Sequence, residues 1–125
     1  MDLSNFKTYS ISTGIIRMTV AKSGISFSKT AVIRLGKPEF ACILINSEEK
    51  IVVIQKSNKD DEAAAPFFKS GRKNVTVRWN YRDLLQRLEE MMNWDTNENT
   101  YRIDGMYHSE EDVLSFDLKA AQIIE

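Results

Sequence analysis

Apolar and polar positions alternate with a period of two over 16–21. Ile16, Met18 and Val20 fall on one side and Arg17, Thr19 and Ala21 on the other, which predicts a half-buried strand. Ser23-Gly24 breaks that run. Ser28 is placed to cap a short helix over 29–35, with Ala31, Val32 and Leu35 on one face; Gly36 and then Pro38 end it. Positions 40–45 are apolar without interruption, as in a strand covered on both faces. A polar turn at 46–50 returns the chain into a second strand over 51–55.

The stretch 57–73 is polar and turn-rich and reads as a linker, within which 63–68 adds a short strand that anchors Phe67 or Phe68. The order of elements then repeats. Val75, Val77 and Trp79 alternate with Thr76 and Arg78 as a strand, and Asn80 is placed to cap a helix. Tyr81, Leu84, Leu85, Leu88, Met91 and Met92 form the strongest helical stripe in the chain, with Asp83 and Arg87 as an i, i+4 pair opposite. A closing hairpin follows, its turn at 108–112, and 119–125 forms a last helical turn or a docked tail.

The chain therefore reads as a single domain, 1–125, of α+β class. Two successive βαββ units, 15–56 and 74–118, share one core, with mainly antiparallel strands and both helices on one face. The repeat is one of pattern, not of residues. The stripe on the second helix serves that core, or else a homodimer groove.

Composition narrows the function mostly by exclusion. Cys42 is the only cysteine, so an intrachain disulfide or a cysteine zinc cluster is out, and within an apolar strand it reads as a buried, inert thiol. His108 is the only histidine; with Asp104, Glu110, Glu111 and Asp112 around it, it reads as a solvated turn without a metal. No nucleophile elbow and no phosphate-cradling glycine loop is present, so an enzyme, a metal and a cofactor are not expected. Positions 1–12 carry no signal-peptide pattern and the longest apolar run is far too short for a bilayer, so the expectation is cytoplasmic, without a membrane partner.

A net charge of −1 hides a division. Residues 1–59 carry nine Lys/Arg against four Asp/Glu, and 60–125 carry eight against fourteen, a basic half and an acidic half. The basic half suits a polyanion.

Residues 19–55 resemble the swapped-hairpin transcription factors of the AbrB type, which include antitoxins of the MazE type. The residues that carry the resemblance are Thr19-Val20-Ala21-Lys22-Ser23-Gly24-Ile25-Ser26-Phe27-Ser28, the short helix ending in Leu35-Gly36, and the hairpin over 40–55. Ser28 stands where the family usually has Pro, and Lys37-Pro38-Glu39 where it has Pro-Gly-Asp. The resemblance implies a bacterial DNA-binding regulator acting as a homodimer, with Arg17, Lys22, Lys29 and Arg34 on the DNA. The whole-chain pattern in turn resembles the two-fold repeat of TATA-binding-protein-like domains. The expectation is a non-enzymatic binding protein, a small DNA-binding transcriptional regulator; the alternative is a protein-interaction module with no DNA affinity.

Overall fold

The computed structural model describes residues 1–6 and 14–124. Residues 7–12 of the stretch read for a signal peptide, and Glu125 of the expected tail, lie outside the described residues.

The strands are β1 (Arg17–Ala21), β2 (Gly24–Phe27), β3 (Phe40–Asn46), β4 (Ile51–Ser57), β5 (Ala65–Pro66), β6 (Val77–Trp79), β7 (Thr100–His108), β8 (Val113–Asp117) and β9 (Gln122–Ile124). The helices are α1 (Lys29–Arg34) and α2 (Arg82–Met92), with a 3-10 turn at Leu118–Ala120. The nine strands of the described residues join one sheet in the order β5-β3-β4-β8-β7-β1-β2-β6, and β9 pairs with the first residues of β7. Every strand pairing is antiparallel. The sheet curls so far that its two ends meet: the Trp79 indole N–H on β6 donates to the Pro66 carbonyl on β5 (2.8 Å).

This architecture corrects the α+β expectation of two βαββ units with helices on one face, and with it the TATA-binding-protein-like arrangement. The molecule is a half-barrel of antiparallel strands whose concave side holds the core. Met18, Val20, Ile25, Phe27, Ile54, Ile103, Leu114 and Phe116 are all fully buried there. Aromatic rings fill the centre, with Phe27 at 5.4 Å from Phe67, 5.3 Å from Trp79 and 6.1 Å from Phe116.

The helices sit at the ends of the curl. At the end where β1 begins, the Ser28 N–H donates to Arg17 O (2.9 Å) and Arg34 lies over the Tyr107 ring, 5.2 Å from its centroid. At the other end the Lys50 ammonium donates to Met91 O (3.1 Å) and Arg87 Nη2 donates to Ser47 Oγ (2.9 Å). The physical reason for the difference is the hairpin hidden at 22–23. Gly24 has φ +132, and a Cβ there would lie 2.5 Å from the Trp79 carbonyl, so only glycine lets the chain turn back at once as β2. The extra strand lets the sheet cover itself.

The two expected halves interleave. β8 lies between β4 and β7, and β7 pairs with β1, so strands from both ends of the chain alternate in one ladder. Several local expectations hold. Ser28 caps α1 by accepting from Ala31 N (3.2 Å), β5 lies inside the linker, and Phe67 and Phe68 are both buried. Others do not. The N-cap of α2 is Tyr81, which makes no side-chain cap bond, rather than Asn80, and Arg87 bonds Ser47 instead of Asp83. β3 is covered on both faces only at Ala41 and Cys42; Leu44 is 48% exposed. Most of the α2 stripe is spent on the core, with Leu88 buried and Leu84, Leu85, Met91 and Met92 packed against it, while Tyr81 is exposed.

Candidate nucleic-acid interface

Strand alternation fixes which side chains leave the curl. On β1 the buried Met18 and Val20 leave Arg17 and Thr19 on the convex side; on β7 the buried Tyr101 and Ile103 leave Arg102 and Asp104 there. Register then aligns a row across five strands: Arg78 on β6 opposite Ser26 on β2, Ser26 opposite Thr19 on β1, Thr19 opposite Arg102 on β7, and Arg102 opposite Gln122 on β9. The row holds two guanidinium groups, two hydroxyls and an amide, with no apolar side chain. At a strand spacing of about 4.8 Å the two arginines stand about 14 Å apart along it.

Arg102 Nη2 donates to Gln122 Oε1 (3.4 Å), while its buried Nε has no partner among the described residues. One register step away Arg17 Nε donates to Asp104 Oδ1 at 2.8 Å, so this guanidinium is matched by a carboxylate. At the foot of the same hairpin Lys22 joins Arg82, Asn80 and Asn97 around an open recess of about 210 Å³. Glu89, also lining it, accepts from the Thr96 hydroxyl (3.1 Å).

The four residues expected on DNA do not form one cluster. Arg17 belongs to the convex face and Lys22 to its lower margin. Lys29 and Arg34 lie on α1, at the end of the curl. Around Arg34 a second polar group has formed: Tyr107 donates to Asp112 (2.5 Å), and the Lys56 ammonium pairs with the same carboxylate (2.6 Å). Those bonds hold the Asp112 carboxyl below its ordinary range, Lys56 chiefly and Tyr107 next, and raise both the Lys56 ammonium and the Tyr107 phenol. Arg78 and Arg102 were missed because they lie in the acidic half. The signal was present in the alternation of Arg78 with Val77 and Trp79, but only pairing brings it level with Thr19 and Ser26.

Past Asp104 the same convex side changes character. Leu44, Val53, Ser115 and Met106 are aligned across β3, β4, β8 and β7, and Met106 is 64% exposed. On the same face His108 Nε2 lies 2.6 Å from Ser115 Oγ. Among the described residues no group of three or more His, Cys, Asp or Glu side chains is arranged to hold a metal ion. Burial, with Asp61 nearby as a smaller cause, pushes the Cys42 thiol up, away from thiolate chemistry. No described helix is long and apolar enough to cross a membrane. The chain matches no protein-family model, no curated protein and no solved structure.

Proposed function

We propose that the protein is a non-enzymatic, cytoplasmic DNA-binding regulator that meets the duplex backbone with the convex face of β6, β2, β1, β7 and β9. The observation that carries this reading is the aligned row Arg78–Ser26–Thr19–Arg102–Gln122. Arginines and short hydroxyls are the side chains that contact phosphate oxygens, and they position a protein on DNA without reading bases. Lys22 and Arg82 extend the positive surface downward. The absence of an aromatic side chain from the row favours duplex over single strands, which bind by stacking on such rings.

The test is fluorescence anisotropy of a random-sequence duplex at two salt concentrations. Three phosphate contacts, by Arg78, Arg102 and Lys22, give a roughly 40-fold loss of affinity between ~50 and ~200 mM salt. The Arg78→Glu/Arg102→Glu double variant, with its circular dichroism unchanged, should lose binding at the lower salt. Binding that survives this double reversal overturns the assignment. A protein-interaction module with no DNA affinity is the second reading, favoured by the exposed Leu44 and Met106, aligned through the half-buried Val53 and Ser115. Complete lack of binding by the wild-type chain at ~50 mM salt selects it.

A further inference from the structure

The place where the curled sheet fails to close is a second candidate for recognition, independent of the DNA face. β3 is paired along its whole length with β4, but on its other side only Phe40 and Ala41 have partners, Pro66 and Ala65. The Glu39 carbonyl accepts from Phe67 N (2.7 Å) and Ala41 stands opposite Ala65. By the alternation of an antiparallel ladder, the N–H and C=O groups of Ile43 and Ile45 point to that same side. No backbone hydrogen bond from a turn or loop reaches them among the described residues.

Beside this edge runs an open groove of about 310 Å³. Its floor is apolar, made by Ala41, Ile43, Ala65, Trp79 and Leu84. Its one charged lining residue is acidic, Asp83 in the first turn of α2, and no Lys or Arg lines it. Asp61 stands at its margin, accepting from N of the lining residue Ala63 (2.9 Å) and from the Ser57 hydroxyl (2.6 Å). An unpaired strand edge, an apolar trough and fixed negative charge together specify an occupant.

We infer that this seam is a docking groove for an extended peptide segment of a partner protein, apolar at alternate positions and flanked by Lys or Arg, which adds a strand to the open edge of β3. Main-chain bonds to Ile43 and Ile45 supply affinity, and alternate side chains drop onto the apolar floor. The volume stands at the low end of ligand pockets, ~300–1,000 Å³, room for a few side chains only. The flanking cations follow from Asp61 and Asp83. A second copy of this chain is disfavoured because it brings those carboxylates against their own equivalents.

The experiment is selection of a displayed random decapeptide library on the full chain, followed by anisotropy with the enriched peptides. Enrichment of alternating apolar residues with flanking Lys or Arg is expected. Amide hydrogen exchange should slow at Ile43 and Ile45 in the complex, and Asp83→Lys, an exposed change, should weaken binding by about tenfold with the fold unchanged. A library without an enriched family overturns the inference. So do peptides that protect other amides or ignore Asp83→Lys. Protection of Ile43 and Ile45 in the peptide-free chain that grows with protein concentration also overturns it, by naming a second copy as the occupant.

Discussion

At the scale of single residues, Ser28 does more than end a strand. Its hydroxyl accepts from Ala31 N (3.2 Å) and Arg17 N (3.0 Å) and donates to Ile15 O (2.7 Å), so one side chain ties the α1 cap to the start of β1. Ser28→Ala should cost about 1–2 kcal/mol in urea unfolding, the usual worth of a cap. Gly105 is a packing glycine. A Cβ there would lie 2.5 Å from Phe116 ring carbons and 2.6 Å from the Ser115 carbonyl, so Gly105→Ala should destabilise by about 1–3 kcal/mol. Asp112 contributes to the pH dependence, as do Asp61 and Asp117, whose carboxyls are lowered by hydrogen bonds from Ser57 and Lys119. The Asp112 carboxyl is lowered in the fold by Lys56 and then Tyr107, so its contribution is present above the ordinary carboxylate range and is lost as pH falls through the lowered value. Asp112→Asn should therefore partly flatten the fall of melting temperature below roughly pH 4. Thermal melts across that range, with wild type alongside, check it.

Among elements, the contrast between α1 and β2 is instructive. The cap, the apolar face and the Gly36-Pro38 stop were enough to define α1, because each acts within a few residues. β2 has only four residues, and its alternation of Ile25 and Phe27 with Gly24 and Ser26 is too short to register beside the preceding turn signal. Yet β2 carries the centre of the core. Phe27 touches Phe67, Trp79 and Phe116, one from the linker, one from β6 and one from β8. Phe27→Ala should cost about 3–5 kcal/mol, read as a shifted denaturation midpoint with little change in slope. The α2 stripe was legible as a helix, but the same apolar face suits a core or a partner. Its contacts decide for the core.

For the whole molecule, the sequence split of charge dissolves in space. Lys29 and Arg34 share their end of the curl with the β7–β8 turn, through the contact of Arg34 with Tyr107 and the Lys56–Asp112 pair, while Arg78 and Arg102 of the acidic half stand on the convex face. If that face binds DNA, Lys29→Glu/Arg34→Glu should change affinity by no more than about twofold, against loss of binding in Arg78→Glu/Arg102→Glu. Comparing the two double variants in one salt titration separates the face from the helix.

What the sequence determined alone is local: the strand alternations, both helices, the β3–β4 and β7–β8 hairpins, the cap at Ser28 and the burial of Phe67 or Phe68. These follow from side-chain periodicity and turn chemistry, whose range is a few residues. What only the tertiary structure decided is which strands are neighbours, and hence that the sheet wraps its own core, that Arg78 stands level with Arg102, and that β3 keeps an open edge. Periodicity states that a face is buried but not against what, because apolar burial has no direction of its own. Register between strands as far as 87 residues apart, as Arg17 is from Asp104, is set by how the whole core packs.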